Sequence, residues 1–192
     1  MTCIVATKHS GEVHMGADSA GVAGLSILTR KDPKLFRVGS MLFGCCGSFR
    51  AMQLIRFGQW NLDPDHLPHP EPRDPFEAMV TLLIPRWRQV LMDGGYLRKT
   101  ENEEHMSSSF LVGWRGEIFE IEGDLQVGMS QHEFAAVGCG RDLALGSMHA
   151  VAQSRGPRDT LHAALSAAEE FSAGVRRPFI FASTGNSSPP AP

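Results

Sequence analysis

A chain of 192 residues, 42% hydrophobic and 20% charged, has the composition of one soluble globular domain with a sizeable core. Its net charge of -3 gives no electrostatic reason to expect a nucleic-acid or anionic-membrane partner. No apolar run is long enough to span a bilayer and no signal-peptide pattern opens the chain, so a cytoplasmic location is the default expectation.

Thr2 to Lys8 alternates as a strand, Ser10-Gly11 marks a turn, and Glu12 to Ala17 completes a hairpin. Asp18 to Gly24 is small and flexible, the composition of a loop that another backbone approaches. Lys34 to Val38 and Met41 to Cys45 form a second strand pair. A helix starts near Gly47-Ser48, with Phe49, Met52 and Ile55 at helical spacing. Asn61 to Asp74 reads as a long loop.

Asp74-Pro75 is a helix start, and Phe76, Met79, Val80, Leu83 and Ile84 mark one face. Pro85 predicts a kink and Gly94-Gly95 an end. Short strands follow at Phe110 to Trp114, Glu117 to Glu122, Leu125 to Gly128 and Phe134 to Gly138. Gly138-Cys139-Gly140 then leads into a small-residue helix through His149. Another helix starts near Asp159-Thr160, and Phe179 to Ala182 is the last strand. Residues 1–185 read as a single domain and 186–192 as a disordered tail. The order predicts an α+β fold, a four-layer α-β-β-α sandwich of two antiparallel sheets flanked by helices.

The four cysteines form no CxxC pair, which argues against disulfides and a zinc site; Cys3 and Cys45 read as small buried hydrophobes. The eight histidines show no ligand spacing, so no metal or other cofactor is expected.

Thr2 is the residue with chemical potential. A threonine hydroxyl needs a base beside it, and an N-terminal threonine carries one in its own α-amine. A nearby cation lowers that amine's pKa, a carboxylate fixes the cation, and a strand-to-helix glycine turn supplies an oxyanion donor. Asp18, Lys34 and Gly47 occupy such positions in chain order. Taken singly, each has a plainer reading: a turn residue, a solvated strand flank and a helix cap.

Together, TCIV at the terminus, GADS, KLFRV, the GCCGS turn and the later AAVGCGRDLALGSMHA resemble the proteasome β-subunit and HslV-type family of N-terminal nucleophile hydrolases. The resemblance covers Thr2 to Ala182 and points to the bacterial proteasome-homologue branch. It implies that Thr2 is the nucleophile once Met1 is removed, a removal that a small second residue permits. Asp18 and Lys34 become its charged partners, at family offsets with no gap, and Gly47 the oxyanion donor. Cys139 stands where the family has serine, which weakens a hydrogen bond to the α-amine. Glu169 and Ser172 align with the family's acid and serine, although Glu169-Glu170 also reads as a solvated helix end. Val22 and Gly24 would line a groove for a substrate strand, and Gly21, Asp32, Phe36, Cys45 and Phe49 the side-chain pocket. Asp32 would then favour a basic side chain; alternatively it is a turn residue before Pro33.

The activity implied is a threonine endopeptidase acting on peptides or unfolded proteins. The partners implied are further copies in stacked rings, a double ring of twelve or fourteen with fourteen favoured, and an unfolding ATPase. Two other readings stay open: a weakly active or inactive ring-forming structural protein, and a small-molecule acyl amidase.

Overall fold

The computed structural model describes residues 1–58, 74–100, 103–151 and 154–185. Two antiparallel sheets stack at its centre. The first has the order β12-β1-β2-β13, from β1 (Cys3–His9), β2 (Glu12–Ala17), β12 (Phe134–Gly138) and β13 (Ile180–Ser183). The second has the order β11-β10-β9-β6-β5, from β5 (Leu35–Val38), β6 (Met41–Gly47), β9 (Ser108–Trp114), β10 (Glu117–Ile121) and β11 (Val127–Gly128).

Alternation along β1 explains the layering. Ile4 and Ala6 point into the gap between the sheets, where they meet Leu42, Leu111, Ile118 and Val137. Cys3 and Val5 point the other way, onto α4 (Arg141–Val151) and α5 (Pro157–Phe171). The outer face of the second sheet, including Phe36, Phe43, Phe110 and Val112, packs on α1 (Phe49–Phe57), α2 (Pro75–Ala78) and α3 (Ile84–Asp93). The sequence therefore builds the expected four layers, with a period of two in each central strand and of 3.6 in each covering helix. Among the described residues, no helix is long and apolar enough to cross a membrane.

The structure differs from the sequence reading in several elements. The expected loop Asp18 to Gly24 contains β3 (Ala20–Ala23), which pairs with β4 (Ser26–Thr29) as a hairpin. Every residue of β4 is exposed, so no in-out pattern marks it. A second small hairpin, β7 (Arg98–Thr100) with β8 (Glu103–His105), lacks an apolar face for the same reason. β11 is reduced to two residues because Leu125 adopts a positive φ in the preceding turn. Pro85 gives no simple kink. A π-helical turn, Met79–Leu83, widens the helix just before it, where proline lacks an N–H and crowds the preceding turn. The tail 186–192 and most of the Asn61 to Asp74 loop lie outside the described residues.

The two sheets approach closely at Gly44 on β6. A Cβ there would lie 2.4 Å from Ile4 Cγ2. Gly44→Ala should therefore destabilise the fold by about 1–3 kcal/mol through overpacking. Urea denaturation should show this as a lower midpoint at an unchanged slope.

Candidate active site

β1 brings Thr2 to the end of the first sheet, and β6 brings Gly47 to the same end of the second. Between them lies the buried Asp18 carboxylate. Its Oδ1 accepts hydrogen bonds from Cys3 N at 3.0 Å and from Lys34 Nζ at 2.7 Å. Its Oδ2 accepts from Ala20 N at 3.0 Å and Arg176 N at 3.3 Å. Asp18 is 0% exposed and the Lys34 side chain 3%. Buried charges of this kind persist when they are paired and their remaining hydrogen-bonding capacity is filled. Here the pair fixes an ammonium group in the wall of the pocket that Thr2 also lines.

That pocket is small. Thr2, Lys34, Cys45, Gly47, Ser48, Phe49 and Met52 form its walls. Gly47 ends β6 with a φ of +104°, and a Cβ would lie 2.5 Å from Ser107 O. Only glycine fits both demands. Ser48 follows as the N-cap of α1, its Oγ accepting from Arg50 N at 3.1 Å. The Ser48 N–H is held by Ser108 Oγ at 2.9 Å. The strand-to-helix turn is thus pinned on both sides.

Thr2 N donates to Cys139 Sγ at 3.3 Å. The Cys139 thiol lies 3.4 Å from Thr2 O and 3.6 Å from Ser172 Oγ. Thr2 Oγ1 donates to Met1 O at 2.6 Å. Gly138 makes this approach possible, because at its φ of +101° a Cβ would sit 2.2 Å from Thr2 O. Cys139 therefore touches the Thr2 nitrogen directly, and Ser172 lies behind it in contact with the Cys139 sulfur.

Glu169 is placed differently. Its carboxylate binds Arg177, taking Nε at 2.6 Å on Oε2 and the backbone N at 2.9 Å on Oε1. It braces the segment that presents Arg176 N to Asp18, and none of its hydrogen bonds reaches Thr2. Its length carries the carboxylate to the neighbouring cation.

The remaining substrate-site candidates divide. Cys45 and Phe49 line the pocket, whereas Phe36 is buried behind it, stacked on Phe43 at 5.2 Å between ring centroids. Gly21 and Val22 lie in β3, and Gly24 is at the hairpin turn. Asp32 is clamped by Arg30 through Nε at 2.9 Å and Nη2 at 2.7 Å. These hydrogen bonds hold its carboxyl below the usual carboxylate range. The Arg30 guanidinium in turn lies 3.8 Å from the centre of the Phe49 ring. Sequence reasoning gives Arg30 and Ser108 no role, and Ser48 and Met52 only a helical one. The closeness of Arg30 to Asp32 in the chain was the available signal for the first.

Burial, followed by the Asp18 charge, pushes the Cys3 thiol up to about 12, and burial raises Cys45 and Cys46. These groups remain neutral thiols, and all four cysteines are free. Among the described residues, no group of three or more His, Cys, Asp or Glu is placed to hold a metal ion.

No protein-family model matches the chain, and no curated protein matches it by sequence. Solved structures do match in shape. The fold is that of the proteasome-like N-terminal nucleophile hydrolases. The Thiobacillus denitrificans BPH structure superposes with a TM-score of 0.75 at 21% identity, over 95% of this chain and 97% of that one. The eukaryotic HslV of Trypanosoma brucei gives 0.65 at 16% identity, over 95% and 98%. Anbu, an ancestral β-subunit from Yersinia bercovieri, gives 0.66 at 18% identity, over 95% and 81%.

The Asp18–Lys34 pair sets a double-mutant test. Asp18→Asn leaves a buried ammonium without its anion, and Lys34→Met leaves a buried carboxylate without its cation. Each should cost about 3–5 kcal/mol, and the double variant less than the sum. Chemical denaturation of the three variants measures the coupling.

Proposed function

We propose that this chain is a threonine-type endopeptidase whose nucleophile is Thr2 in a form that begins at that residue. The observation that carries the reading is the convergence on one pocket of Thr2, the Asp18-anchored Lys34 ammonium and the Gly47 turn. The Thr2 amine takes the hydroxyl proton, favoured by Lys34, whose charge disfavours a second cation beside it. Oγ1 attacks the peptide carbonyl carbon, and the oxyanion is stabilised by the Gly47 N–H. The C–N bond breaks as the ammonium returns its proton to the departing amine. Water then attacks the ester, the amine again acting as base, and Thr2 is regenerated.

The substrate backbone has a place to lie. Among the described residues, β3 pairs with β4 alone, and its other edge is available to an extended peptide. Cys45, Phe49 and Met52 favour a short apolar side chain in the pocket. With Asp32 already bound to Arg30, the basic preference expected from Asp32 loses its support. Stacked rings, a double ring of fourteen rather than twelve, would enclose the sites in the cytoplasm and receive chains from an unfolding ATPase. The solved T. denitrificans BPH complex with epoxomicin makes that class of inhibitor the natural probe.

Cys139 gives a specific reason to keep a second reading, a ring-forming protein of low activity. A sulfur atom is a weak acceptor for the Thr2 nitrogen. One experiment separates the two. An epoxyketone needs a hydroxyl and a free α-amine on the same residue. Intact mass spectrometry should show one adduct per chain beginning at Thr2, none on Thr2→Ala, and slower labelling of Lys34→Ala. A chain that begins at Thr2 and takes no adduct would contradict the peptidase reading.

A further inference from the structure

A second cleft shares Gly47 with the Thr2 pocket. Its volume is about 290 Å³, and Cys46, His105, Ser109 and Glu122 are among its walls. Strand register explains how they meet. Cys46 on β6 lies opposite Ser109 on β9, and Ser109 Oγ donates to Glu122 Oε2 at 3.1 Å. Leu111, two residues on from Ser109, belongs to the layer between the sheets. Cys46 packs against that layer. Cys46, Ser109 and Glu122 thus form a row across the mouth of the inter-sheet gap. This is the end of the gap that holds Thr2 and Cys139.

A peptide bound for cleavage places its carbonyl at Gly47 and its residue before the bond in the Cys45, Phe49 and Met52 pocket. The segment after the bond must leave that pocket past Gly47, the residue this cleft shares with it. Glu122 is the carboxylate among its walls, with His105 also lining it. Among the described residues, Glu122 makes no ion pair. Glu120, on β10 two residues before Glu122, reaches one cation, Arg141 Nε at 3.8 Å. Burial, followed by the hydrogen bond to Glu122, pushes Glu120 up to about 7.

We infer that this cleft is the leaving-side subsite and that Glu122 makes it select a lysine or arginine directly after the scissile bond. Glu122 is then a specificity-determining residue, with Glu120 supplying additional negative potential. The inference rests on the peptidase reading above.

The test uses the assembled protein beginning at Thr2. Its substrates are peptides identical up to the scissile bond, followed by Lys, Leu or Glu, with products identified by mass spectrometry. The same residues ahead of an aminocoumarin amide, which offers nothing to the cleft, report the peptidase reaction alone. The Lys peptide should exceed the Glu peptide by about two- to fivefold in kcat/KM, the range of a partly exposed ion pair. Glu122→Gln should bring this ratio toward one, and Glu122→Lys should invert it. A ratio within each variant cancels any general loss of activity. Coumarin release with no Lys-over-Glu preference in the unaltered protein overturns the subsite, as does a preference that survives both substitutions. Absence of coumarin release as well as peptide cleavage overturns the peptidase reading, and the subsite falls with it.

Discussion

The Asp18 carboxylate holds the end of the molecule together. Four donors from separate parts of the chain converge on it: Cys3 N, Ala20 N, Lys34 Nζ and Arg176 N. Through them it fixes the residue after Thr2, the first residue of β3, the ammonium beside the pocket and the segment leading to β13. A fully buried anion is tolerable in this place because every contact meets it with a donor. The same contacts make the site rigid. Catalysis by a terminal residue requires this, since the amine of an untethered terminus would fray.

Lys34 takes its role from that arrangement. Held at 2.7 Å from Asp18 and 3% exposed, it is a charge locked at one wall of a small pocket. In the proposed reaction, such a charge would act on the Thr2 amine and on a developing oxyanion without reorganising. Beside the Thr2 nitrogen sits Cys139, a softer and weaker partner than a hydroxyl. In the proposed peptidase reaction, the rate would depend on how well a thiol with Ser172 behind it serves the Thr2 amine. Glu169 contributes from further away, by holding the Arg176–Arg177 backbone in place.

Much of this was legible in the sequence, for a physical reason. The four layers follow from strand alternation and helical periodicity, which burial imposes directly on residue type. Thr2, Asp18 and Lys34 are separated by strands and turns of fixed length, so their spacing along the chain reports their meeting in space. The exposed β3–β4 hairpin was not legible, because Ser26–Thr29 bury no face and leave no pattern. Nor was the use of Asp32 and Glu169. A carboxylate looks the same in sequence whether it faces a substrate or an arginine, and here Arg30 and Arg177 take them. Ser108, which pins the Gly47-Ser48 turn, lies in a serine run with nothing to distinguish it. The row of Cys46, Ser109 and Glu122 depends on the register of three strands, which pattern alone does not set.

The central claim is that the Thr2 nitrogen, as a free amine, is the base of a peptidase. The most direct measurement compares one protein before and after its terminus is released. A chain fused upstream of Thr2 through a protease-cleavable segment, with Met1 omitted, is assayed on a fluorogenic peptide amide, cleaved to expose Thr2, and assayed again. The account predicts no turnover from the fused form and turnover that appears in step with release of the amine. Equal turnover before and after release would contradict it, and so would none from the fully released, folded protein.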